Sequence, residues 1–77
     1  MQTKPVDTLN ELLRGEISAV ETYRQALEKL TNSDARMQLE DACRSHELRV
    51  QKLKDQVVRL GGKPDETSGA WGAFARL

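Results

Sequence analysis

Seventy-seven residues make one small domain at most, and one that struggles to bury an adequate core alone. Acidic and basic side chains balance at 12 each with no basic run, which argues against binding nucleic acid or a membrane surface through net charge. The single cysteine, Cys43, excludes an internal disulfide and suits a reducing compartment. No apolar run approaches the roughly 20 residues of a membrane span, and the opening residues lack the apolar core of a signal peptide. The expectation is a soluble, cytoplasmic, helical protein.

Met1 to Val6 reads as a frayed lead-in, because Pro5 discourages helix at the residue before it. Thr8-Leu9-Asn10-Glu11 fits a capping box and predicts that a first helix spans about residues 8–31. Leu9, Leu13, Glu16, Val20, Tyr23, Leu27 and Leu30 form its seam, alternating four and three residues apart. Leu12, Ala19 and Ala26 widen that seam to the face of a core-facing bundle helix. Gly15, a poor helix former, either permits close approach of a neighbour beside Glu16 or is a tolerated defect.

Thr31-Asn32-Ser33-Asp34 is a short polar connection, with Ser33 as the expected N-cap and Asp34 favouring the dipole. A second helix is predicted over about 34–60, stopped by Gly61-Gly62 and by Pro64 beyond. Its seam is Leu39, Cys43, His46, Val50, Leu53, Val57 and Leu60, flanked by Ala42, Arg49 and Gln56. Glu40 with Arg44, and Asp55 with Arg59, are spaced as solvated i,i+4 pairs. Residues 61–77 are expected to be a linker and a short tail helix capped by Ser68. Trp71 and Phe74 lie three apart there, placed to plug one end of a bundle.

A loop this short makes the helices antiparallel neighbours. Two amphipathic helices in a hairpin leave one face of each uncovered, so the expected assembly is a homodimer forming a four-helix bundle. Folding about Asn32 and Ser33 sets Glu16 level with Arg49 and brings His46 within a turn of Glu16 and Tyr23. The polar seam residues therefore gather in one slab: Glu16, Tyr23, Cys43 and His46, with Arg49 on its edge. A buried carboxylate is costly unless paired or bound to a cation. Glu16 and His46 are thus candidate ligands for Fe, Mn or Zn, with Tyr23, Cys43 and Arg49 around them. The alternatives are a Glu16 ion pair with Arg49 or His46, a hydrogen-bonded core histidine, and Cys43 as a small buried hydrophobe.

Leu9-Asn10-Glu11-Leu12-Leu13-Arg14-Gly15-Glu16, followed by Tyr23, resembles the first helix of the bacterioferritin and rubrerythrin group of ferritin-like proteins. The resemblance implies an iron-binding Glu16 and a hydrogen-bonding Tyr23. Leu60-Gly61-Gly62-Lys63-Pro64 is similar to the end of that group's second helix. Ser68-Gly69-Ala70-Trp71-Gly72 looks closer still to a bacterial ferritin-like family of unknown function. The group's second helix carries Glu-x-x-His, which this seam lacks. Alignment by His46 puts Cys43 at the Glu position, and alignment by the glycine stop puts Arg49 at the His position.

Relatives also continue into two further helices, so the resemblance implies a natural half-domain or a piece of a longer chain. Two functions stand as expectations. One is metal binding in a ferritin-like bundle, with ferroxidase activity depending on that centre. The other is a structural or interaction module whose polar layer fixes register.

Overall fold

Helix α1 spans Thr3–Lys29 and α2 spans Ser33–Arg59 in the computed structural model, which describes residues 3–69. The two pack against each other as a hairpin joined by residues 30–32, and no strand occurs among the described residues. Of the tail helix expected over 68–77, Ser68 and Gly69 are described and not helical, while the rest, with Trp71 and Phe74, falls outside the described residues.

α1 begins earlier than the capping box implied. Thr8 and Glu11 sit exposed inside the helix rather than at its start. Pro5 falls in the first turn, where backbone N–H groups have no intrahelical partner and a missing donor costs nothing. Val6 supplies the reason to extend: it is 7% exposed and packs against the chain beyond α2. A Cβ on Gly62 would lie 2.6 and 2.8 Å from the Val6 methyls and 3.2 Å from a methyl of Val57. Glycine at 62 is what lets the backbone come this close.

The connection is capped from both sides. Asn32, rather than Ser33, is the N-cap of α2, its side-chain oxygen accepting from the Ala35 N–H at 2.9 Å. Arg36 reaches back to donate to the carbonyls of Leu27 and Leu30, satisfying the C-terminal end of α1. At the far end Gly61 adopts φ 80°. The Gly61 N–H donates to the Val58 carbonyl and the Gly62 N–H to that of Val57. That pair of bonds is the Schellman stop that the glycines predicted.

Among the described residues, Leu13 and Val57 are the largest fully buried side chains, with Val6, Val20 and Cys43 close to full burial. The stripe of α1 against α2 is therefore Val6, Asn10, Leu13 and Val20, while Leu9, Glu16, Tyr23, Leu27 and Leu30 are only half-buried. Leu12, expected on the buried face, is 56% exposed. One partner helix covers a narrower stripe than a bundle would. The molecule measures 47 × 24 × 13 Å, and its smallest dimension is about that of one helix with its side chains. It is a single layer.

Candidate polar site between the helices

Glu16 lies on α1 just off the contact stripe, and His46 and Arg49 project from successive turns of α2. The hairpin brings them together as the antiparallel register requires. Arg49 Nε donates to Glu16 Oε1 at 2.9 Å, and His46 Nδ1 lies 2.5 Å from Oε2. The side chains of Glu16 and His46 are 22% and 21% exposed, that of Arg49 49%. Tyr23 stacks its ring on His46, with centroids 5.3 Å apart and planes 30° from parallel.

Burial alone would raise the carboxyl pKa of Glu16. The hydrogen bonds and positive charge contributed by His46 and Arg49 outweigh it and hold the group below the ordinary glutamate value. Glu16 is therefore ionised at neutral pH and accepts only. His46 Nδ1 also lies 2.8 Å from Arg49 Nη2, yet one ring nitrogen cannot donate to a carboxylate and accept from a guanidinium at once. Both neighbours are charged, but the carboxylate can only accept and lies closer, so a proton on Nδ1 faces Glu16.

Cys43 is not part of this cluster. It is buried between the helices and lines a groove with Arg24, Leu27, Glu40, Arg44 and Glu47. The seam position was right for its burial, but the Glu16 cluster occupies the other flank. The wet-face pairs also differ from expectation. Glu40 takes Arg36 at 3.6 Å, Arg44 takes Asp41 at 3.5 Å, and Asp55 accepts from Gln51 at 3.1 Å.

A second polar cluster lies nearer the open end. Asn10, 9% exposed, donates through Nδ2 to the Lys63 carbonyl at 3.0 Å and accepts the Asp65 N–H through Oδ1 at 2.9 Å. Arg14 pairs with the Asp65 carboxylate one turn later. These bonds pin the segment after α2 along α1, so residues 63–65 are a strap and not a free linker. The signal in the sequence was Asn10 itself, an amide on the Val6–Leu13–Val20 stripe with no partner on α2.

An iron, manganese or zinc centre needs several anionic or neutral donors with lone pairs to spare. Here both oxygens of Glu16 are already engaged and a guanidinium occupies one of them. No group of three or more His, Cys, Asp and Glu side chains suited to a metal occurs among the described residues.

Fold and cluster together define an all-helical hairpin with a charged, hydrogen-bonded layer between its helices. The family described as "Domain of unknown function (DUF2383)" matches residues 4–77, and the chain belongs to it. No curated protein and no solved structure shows significant similarity to the chain. Among the described residues, no helix is long and apolar enough to cross a membrane.

Proposed function

We propose that this protein is a bundle-forming interaction module of ferritin-like type, pairing as a homodimer, in which Glu16, His46 and Arg49 fix the register of the helices. One observation carries this reading: both oxygens of Glu16 are taken by side chains of the adjacent helix. A carboxylate so paired specifies which residues lie level, because sliding α2 by one turn leaves a partly buried charge alone. The single-layer hairpin supports pairing, since stable domains bury a core between at least two layers. Measurement of the thermal midpoint against protein concentration tests it. Dilution lowers the midpoint of a dimer, whereas a constant midpoint with a monomeric mass in sedimentation defeats the reading.

A metal-binding function is the second reading, favoured by the Glu16–His46 contact. A carboxylate on one ring nitrogen orients the other for a metal in many protein sites. His46, with Glu16 behind it, would then offer Nε2 to Fe, Mn or Zn. The remaining donors would come from a second copy, with Tyr23 and Arg49 around the centre. Adding Fe(II), Mn(II) or Zn(II) then raises the melting temperature at neutral pH, and His46→Ala removes the gain. No metal-dependent shift leaves the register function standing and ends the metal one. Oxidase chemistry would require that centre and falls with it.

A further inference from the structure

We propose that Tyr23 is the positioning residue of the polar layer, its ring face holding the His46 imidazole in the plane from which Nδ1 meets Glu16. The inference rests on reading this layer as the register device, and it names what keeps that device in shape. Glu16 and Tyr23 stand seven residues apart on α1, two turns and about 10 Å along the axis, on nearly the same flank. His46 enters from α2 between them. It meets the carboxylate with Nδ1 at 2.5 Å and lays its ring on Tyr23, with centroids 5.3 Å apart and planes 30° from parallel. Aromatic rings at that separation attract each other in offset or tilted stacks.

A hydrogen bond to one nitrogen does not by itself fix an imidazole. The ring still turns about its Cβ–Cγ bond, a torsion with broad wells. Arg49 stands ready to profit from such a turn. Its Nη2 lies 2.8 Å from the same nitrogen, and its Nε already holds the other oxygen of Glu16 at 2.9 Å. An imidazole that tilted away would surrender the whole carboxylate to the guanidinium, whose fork suits two oxygens at once. Tyr23 opposes that tilt. Rotation out of the present plane drives the imidazole edge into the phenol ring. The half-turn that exchanges Nδ1 for Cδ2 keeps the stack but loses the bond to Glu16. The stack thus fixes the plane, and the carboxylate selects between the two orientations within it. What Tyr23 offers is a ring face, which phenylalanine also has and leucine lacks.

Nuclear magnetic resonance of the His46 ring in the intact chain at neutral pH tests this. The parent should show a proton on Nδ1 that exchanges slowly with water, as the bond to Glu16 requires. Tyr23→Phe should keep that signal. Tyr23→Leu places a good helix former at a half-buried position, so helix content by circular dichroism should hold while the signal is lost. If that variant fails to fold, Tyr23→Met, unbranched and equally without a flat face, takes its place with the same expectation. A side chain that only filled space would lower stability and leave the Nδ1 proton where it was. Slow exchange that persists without the aromatic ring, or that the parent or Tyr23→Phe lacks, overturns the proposal. Sedimentation of the same samples separates it from the bundle reading. A monomeric parent with the expected pattern defeats pairing and leaves the role of Tyr23 standing, and a dimer whose leucine variant keeps the proton does the reverse.

Discussion

The Glu16–His46–Arg49 cluster and the Asn10–Lys63–Asp65 strap look like two versions of one device. Each is a polar group on α1, largely shielded from solvent and held by partners distant in sequence. They differ in what is bonded. Glu16 is held by long side chains that reach solvent, one of them half-exposed. Asn10 is nearly buried and holds a backbone carbonyl and a backbone N–H. Side chains that lose a partner turn to water, but pinned backbone groups cannot turn. The neutral amide should therefore contribute more to stability than the charged layer.

The largest effect is expected at Asn10. Asn10→Ala removes two hydrogen bonds and leaves a carbonyl and an N–H without partners, costing about 2–4 kcal/mol in urea unfolding. A loss below that of Glu16→Gln would reverse the comparison. Gly62→Ala comes next, because its new Cβ would strike Val6. The valine is stiff at χ1 within α1, so the overlap should cost about 1–3 kcal/mol. Combining it with Val6→Ala should cost less than the sum of the two single changes, and simple additivity would mean that the backbone moves aside instead.

Glu16→Gln is expected to cost about 1–2 kcal/mol at pH 7, less than a fully buried pair because solvent reaches Arg49. Its carboxyl pKa is lowered in the folded state from the ordinary 4.5. The contribution is thus complete above pH 4.5 and lost as pH falls through the lower folded value. Unfolding curves of parent and variant should converge in acid, and a gap that widens there would contradict the ionised pair. Smallest of all is Arg24→Ala. Arg24 bridges to Glu47 across the helices at 2.9 Å, but the two side chains are 63% and 45% exposed. Its loss should change stability by less than about 1 kcal/mol.

Sequence periodicity was enough to establish two helices, their hairpin arrangement and the glycine stop. The reason is local: apolar spacing, capping residues and a left-handed glycine act within a turn or two. The level pairing of Glu16 with Arg49 and His46 was legible too, since a short loop leaves one antiparallel register. Tertiary packing decided what lay beyond that range. It rotated the buried stripe of α1 toward Val6, Asn10 and Leu13, because a single neighbouring helix covers less than half of a bundle face. It drew the start of α1 back to Thr3, because Val6 had Gly62 to pack on. It separated Cys43 from the Glu16 cluster, because the two lie on opposite flanks of one contact line. Asn10 found its partners more than fifty residues away in a segment without periodicity. Only folding brings such a pair together, and no spacing along the chain encodes it.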